Sequence, residues 1–255
     1  MMPTLNLVRL ADRPDLSPAV NELMNAAWPR FMMEDPVSNR LWPRLRTTFP
    51  SFQLALLAGE DLVCVGNAVA FHWPVPANPA QDGLPDPLPD TGWDWVMERA
   101  FQDADAGLPA TLASALAISI PPAHRGRGYA RVMLGAFKAA AAAAGCRALV
   151  APVRPTRKAE RPELSMADYL AQRDPQGRRF DPWVGLHESL GACILGICHN
   201  SMTIPGSRAD WQNWTGLEAP ASGPWVVPDA LVPVWVEGET ATYVEPNVWM
   251  LHPLA

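Results

Sequence analysis

No apolar run in this 255-residue chain is long enough to span a membrane, and no signal peptide opens it, so a cytoplasmic protein without a membrane partner is expected. Cysteine is scarce, and Cys64, Cys146, Cys193 and Cys198 show neither metal-ligand nor disulfide spacing. They read as buried, reduced thiols, and no His, Cys and Asp cluster has the spacing of a metal site. Net positive charge is absent: the formal charge of −6 excludes a general nucleic-acid binder. Tyrosine occurs three times against eleven tryptophans, and 28 prolines imply many rigid loops. With 49% apolar and 18% charged residues, the chain can fill a sizeable core, and its length suits one domain with large insertions.

The most informative stretch runs from Ala113 to Gly145. Ala115–Ile120 is apolar but for Ser119 and has the length of a buried strand, ended by Pro121 and Pro122. Arg125-Gly126-Arg127-Gly128-Tyr129-Ala130 then turns the chain into a helix, in which Ala130, Leu134, Phe137 and Ala141 share one face. Gly145 is a natural residue just past its end. A strand, a basic turn containing glycine and a helix N-terminus together make an anion site. The first helical turn has unpaired N–H groups, the dipole favours negative charge, and Gly128 lets a ligand approach the backbone. Arg125 and Arg127 add fork-shaped donors, so the ligand class is a phosphate or pyrophosphate.

Arg125-x-x-Gly128-x-Ala130, between a strand ending I-x-P and a helix, resembles the acyl-CoA signature of the GCN5-related N-acetyltransferases (GNAT). It differs from a P-loop, which needs Lys-Ser/Thr after the glycine, and from a dinucleotide fingerprint, which needs three spaced glycines. The resemblance implies an α/β fold with a mixed central sheet of about seven strands, flanked by helices. The fourth and fifth strands splay apart to admit the pantetheine arm. It implies acetyl-CoA or another acyl-CoA as co-substrate, contacted by Ile118, Ser119, Ile120, Arg125, Gly126, Arg127, Gly128, Tyr129 and Ala130, and no metal.

Upstream, Leu5–Leu10 reads as a strand, and a helix capped by Asp15 or Ser17 runs to about Phe31. A helix over Asn39–Thr47 is interrupted by Pro43, and strands Phe52–Leu57 and Val63–His72 flank Gly59-Glu60-Asp61. Trp93–Phe101 reads as a short helix and Ala148–Val153 as the next strand. A strand bulged near His199-Asn200, a hairpin around Glu237-Gly238 and a closing strand at Val248–Leu251 complete the chain. Against the family pattern, residues 74–110, 154–181 and 205–240 stand out as insertions. Trp211, Trp214 and Trp225 in the third either cover the core edge or wall an acceptor pocket. Residues 125–179 hold 12 basic and four acidic side chains, a net of +8 against −14 for the remainder. One basic stretch on an acidic protein suits a polyanion such as CoA.

Asp181-Pro182-Trp183 opens a helix, with Asp as N-cap and Pro at the first helical position, and Gly191 stops it. It resembles the family's last helix, which ends aromatic-Tyr-acidic-x-Leu-Gly. Glu188, Leu190 and Gly191 match, and His187 stands where the tyrosine that protonates the departing thiolate is expected. Histidine can fill that role, since its pKa lies near working pH; the alternative is that His187 only packs. The backbone N–H near Ile120 is the candidate for the developing oxyanion. No acid lies on the signature strand to act as base, which leaves His72 and Glu98 as candidates.

The reading that follows is an N-acyltransferase acting on a small-molecule amine by direct attack in a ternary complex, as monomer or homodimer. A non-catalytic acyl-CoA-binding protein is the alternative, and a protein N-acetyltransferase, which needs an open peptide groove, ranks below it.

Overall fold

The computed structural model describes residues 4–254. The chain begins with β1 (Leu5–Arg9), α1 (Ser17–Ala27), α2 (Pro36–Leu41) and α3 (Leu45–Thr48). The hairpin β2 (Gln53–Ala58) and β3 (Asp61–Phe71) follows, then α4 (Pro79–Asp82) and α5 (Gly92–Asp105). The centre is β4 (Leu112–Ser119), α6 (Tyr129–Ala143) and β5 (Ala148–Val153), and α7 (Met166–Ala171) and α8 (Pro182–Ser189) lead away from it. The chain ends with β6 (Cys193–Ser207), α9 (Arg208–Thr215), β7 (Ser222–Trp225), β8 (Val234–Glu237) and β9 (Thr240–Pro253). No helix among the described residues is long and apolar enough to cross a membrane.

All nine strands belong to one sheet, ordered β1-β2-β3-β4-β5-β9-β8-β7, with β6 along the other edge of β9. Only β4 and β5 run parallel; every other pair is antiparallel. The α/β class and mixed sheet are as expected, but the strands number nine rather than about seven. β7 and β8, which add to the N-terminal half of β9, account for the difference. The final hairpin strand and the closing strand are also one element, β9. Pro246, inside β9, has no N–H to give a neighbouring strand. It is tolerated because β6 bulges between Cys198 and Met202, leaving Pro246 unpaired on that side, while neither β5 nor β8 reaches it on the other. Asp90 holds the bulge, accepting from the His199 N–H at 2.6 Å and from Asn200 Nδ2 at 2.6 Å.

The helices pack as their patterns require. α5 buries Trp93, Val96, Met97 and Ala100 at i, i+3, i+4 and i+7, and α6 buries Met133, Leu134, Phe137 and Ala141. Each large side chain so buried contributes ~1.5–3 kcal/mol. α6 lies so close on β3 that a Cβ at Gly66 would stand 2.5 Å from Met133 Sδ and 2.7 Å from Phe137 Cζ. Cys193, at the start of β6, is exposed, whereas the other three cysteines are buried as expected.

α2 meets α5 and β6 through a carboxyl pair. Asp35 caps α2 by accepting from the Ser38 N–H at 2.6 Å, Asp94 accepts from the Thr203 N–H at 3.1 Å, and the remaining oxygens, Asp35 Oδ2 and Asp94 Oδ1, are buried without a protein partner. Burial raises both pKa values, and the Asp35 charge raises Asp94 further. The folded chain therefore retains a proton that the unfolded chain releases near pH ~4, and stability falls as pH rises above that value. Asp94→Asn keeps the Thr203 contact and is neutral without needing that proton. It should stabilise the protein by ~1–2 kcal/mol at pH 8 and by almost nothing at pH 4, as read by urea unfolding at both pH values.

Candidate active site

The site begins where the sheet opens. β4 and β5 pair only over Leu112–Ser114 and Ala148–Val150, and beyond Ser114 the two strands part. β4 bulges there as well: Ala115 pairs with Ala68 and Ala117 with Asn67, leaving Leu116 without a partner on β3. The Leu116 carbonyl accepts instead from Trp93 Nε1 at 3.1 Å. The parted strands line a cavity of about 1220 Å³, with Ala115–Ile120 on one side and Ala151–Val153 on the other.

One end of this cavity is the turn into α6. Gly128 is the N-cap at φ +82, in the left-handed region, and offers no side chain to the helix. The backbone N–H groups of residues 126–130 meet no acceptor among the described residues. They form an anion cradle at the positive end of a 15-residue helix, which fits a pyrophosphate. Of the residues expected to contact CoA, Ile118, Ser119, Ile120, Arg125, Gly126, Gly128, Tyr129 and Ala130 line the cavity. Arg127 does not; the residue is exposed. Ser119 Oγ is occupied by Trp28 Nε1 at 3.0 Å, and the Ile120 carbonyl by Arg125 Nε at 3.2 Å. Arg131, which the sequence pattern passed over, lines the wall and donates to Ser189 Oγ on α8.

The remaining basic residues expected to serve a polyanion are mostly consumed within the chain. Arg157 pairs with Glu160, Arg178 with Asp174 and Arg179 with Glu188, and Arg173 donates to three backbone carbonyls. Lys158 is fully buried, donating to the carbonyls of Arg161 and Leu231. Only Arg125, Arg131 and Arg154 of the arginines between residues 125 and 179 reach the cavity wall.

α8 starts at Asp181, whose Oδ1 accepts from the N–H groups of Trp183 and Val184 at 2.9 and 3.0 Å. The helix sets His187 on the cavity wall at 1% exposure, edge-on to Trp183. His187 Nδ1 lies 2.8 Å from His252 Nε2 on β9, while His187 Nε2 and His252 Nδ1 have no protein partner. Burial, and then the nearby His252, pushes the His187 pKa down to about 3. A pKa near working pH, the reason for favouring histidine as an acid, is therefore not what the site provides. His187 is neutral at pH 7 and has one ring N–H to donate.

The opposite end is polar, and sequence reasoning missed it. Arg154 follows β5, and its Nε donates to Glu245 Oε2 at 2.8 Å. Glu245 is fully buried and also accepts from Tyr243 Oη at 2.8 Å and Asn247 Nδ2 at 3.0 Å. Arg154, Asp229, Glu245 and Asn247 all line the cavity. The cavity does carry indoles, but they are Trp28, Trp42, Trp93 and Trp183; Trp211, Trp214 and Trp225 lie elsewhere. Trp211 is fully buried, with its Nε1 donating to the Ala241 carbonyl. Neither candidate base is at the wall: His72 Nδ1 contacts the Pro109 carbonyl, and Glu98 pairs with Arg40. No group of three or more His, Cys, Asp or Glu among the described residues has the arrangement of a metal site.

No family model matches the chain. An arginine N-acetyltransferase, avaD of Aspergillus versicolor, is 32% identical over 285 aligned positions, covering 99% of this chain and 95% of the relative. The loading GNATL domain of CurA from Lyngbya majuscula superposes with a TM-score of 0.61 at 16% identity, over 98% of each chain. The GphF GNAT-like decarboxylase in complex with isobutyryl-CoA gives a TM-score of 0.55 at 19% identity, over 99% of this chain and 100% of that one. The two structures share the architecture, and the sequence relative carries the family. The chain belongs to the GCN5-related N-acetyltransferases, enzymes that use an acyl-CoA, and it is an N-acetyltransferase that acylates the amine of a small molecule.

Proposed function

We propose that the acceptor is arginine or a close cationic analogue, acetylated from acetyl-CoA in a ternary complex. One observation carries the reading: a single cavity joins the anion cradle at α6, the parted strands and the polar end at Arg154, Asp229 and Glu245. The N–H groups of residues 126–130 receive the pyrophosphate, with Arg125 and Arg131 beside them. The free edge of β4 through Ile118 and Ser119 aligns the pantetheine amides, and the backbone N–H near Ile120 faces the developing oxyanion. Asp229, an exposed acidic residue lining the same cavity, favours a cation. The 32% identical relative is named for arginine, which agrees with a site holding both charge signs.

At the thiol, His187 acts as a hydrogen-bond donor. If His252 Nε2–H donates to His187 Nδ1, the His187 proton resides on Nε2, the nitrogen without a protein partner. A neutral imidazole N–H stabilises the departing thiolate without an imidazolium, which this burial disfavours.

The test is release of free CoA thiol from acetyl-CoA over a panel of arginine, lysine, ornithine, polyamines and aminoglycosides, with acetyl-CoA binding measured on the same preparation. Arginine should be the preferred acceptor, and His187→Phe should slow release by about 100-fold or more with acetyl-CoA still bound. Thiol release with the other amines but none with arginine would overturn the acceptor assignment.

A further inference from the structure

We propose that Arg154 is the clamp for a free carboxylate on the acceptor, so the enzyme requires an α-amino acid and rejects the same amine without its carboxylate. The inference rests on the arginine reading above and gives it a specificity residue. Arg154 is held from two sides: Nε donates to Glu245 Oε2 at 2.8 Å, and Nη2 donates to the Asp229 carbonyl at 2.5 Å. Nη1 makes no hydrogen bond among the described residues, and the side chain, 19% exposed, stands on the cavity wall. A guanidinium fixed along one edge, with N–H donors left over in a cavity, is preorganised for a planar anion.

The surrounding charge selects which anion. Glu245 pairs with the guanidinium through Nε, and Asp229, a second acidic residue, lines the same cavity. A doubly charged phosphate would meet both carboxylates, whereas a single carboxylate next to a cationic group balances the site. A zwitterionic amino acid has that charge pattern.

Asp229 sits in a turn over residues 227–230, closed by the Ala230 N–H on the Val227 carbonyl at 3.2 Å, and this turn aims the Asp229 carbonyl at Arg154. At φ +66 it is the only non-glycine residue with positive φ among the described residues. The left-handed backbone costs ~1–2 kcal/mol for a residue with a Cβ, and at Asp229 it presents the carbonyl to Arg154.

The experiment compares arginine, arginine methyl ester and agmatine on the native enzyme, by thiol release and by calorimetric titration in saturating CoA. Arginine should exceed the ester and agmatine by roughly 100-fold in kcat/KM and in affinity. Arg154→Gln alone leaves Glu245 buried and unpaired, so the charge-neutral pair Arg154→Gln with Glu245→Gln is made beside it. In both variants the arginine-to-agmatine ratio should fall towards one, mainly through KM, while acetyl-CoA affinity stays the same. Equal use of arginine and agmatine by the native enzyme would overturn the clamp, as would an unchanged ratio in a folded variant. Arginine binding without thiol release, with agmatine not binding, would uphold the clamp and overturn arginine as acyl acceptor. Binding of neither overturns both.

Discussion

Gly128→Val should weaken acetyl-CoA binding by more than about 100-fold while leaving a folded protein. Two costs separate cleanly here. A Cβ at this N-cap meets nothing within 4 Å, so the variant does not collide with its own chain. The φ of +82 makes it strained, at ~1–2 kcal/mol, or a few degrees of Tm for a chain of this size. The space it fills is the approach to the N–H cradle at residues 126–130. Losing two such hydrogen bonds to a charged oxygen, at ~1.5–3 kcal/mol each, accounts for the expected drop. Gly145→Val is the control: it stands beyond the other end of α6 at φ +80, equally open, and does not line the cavity. It should cost the same Tm and leave affinity unchanged by calorimetry. Equal loss of affinity in the two would show that the anion does not sit at Gly128.

Acidification should unfold the protein through His187 and His252. Burial lowers both pKa values, His187 to about 3 and His252 to about 4, with Lys138 adding to the second. The unfolded chain takes up both protons near pH ~6.5, the folded chain only below those depressed values. Unfolding therefore binds protons in that window, and stability falls as pH drops from about 6.5 towards 4. At ~1.4 kcal/mol per pH unit for each ring, pH 5 should cost ~4 kcal/mol relative to pH 7. The Asp35–Asp94 pair acts in the opposite direction over the same range, so the slope is best read in an Asp94→Asn background. Replacing both histidines with Phe and Leu should flatten urea-derived stability between pH 7 and 5. A slope that survives the double replacement would show that other groups govern it. The same depressed pKa implies that kcat carries no His187 limb between pH 5 and 8.

The strand, turn and helix around Gly128 were legible because each boundary is written locally, in prolines, glycines and an apolar period. So was the Asp181 cap, whose partners are two and three residues away. His187 could be placed by motif, but its electrostatics depend on His252, 65 residues distant, and no local signal reports that burial. Arg154 was hidden for a related reason. It looked like any member of a basic stretch, and its distinguishing partner, Glu245, lies 91 residues on. The tryptophans divided the same way: composition announces indoles, but only tertiary packing decides that Trp28, Trp42, Trp93 and Trp183 face the cavity. The continuity of β9 was not legible, because it depends on the bulge in β6 that accommodates Pro246, about 45 residues earlier in the chain.

That unbroken β9 has a consequence for how this enzyme can change its acceptor over time. Glu245 and Asn247 mark the acceptor end and His252 the thiol end, and all three lie on one strand, paired with β6 up to Leu251 on either side of the bulge and with β5 from Val248 to Pro253. The spacing between the two ends is a ruler of ~3.3 Å per residue that loop insertions cannot stretch. A one-residue slip would turn every side chain to the wrong face. New acceptors are therefore reached by exchanging side chains at fixed rungs, or by resetting the Asp229 loop, and a longer or shorter molecule must find its fit within the same length.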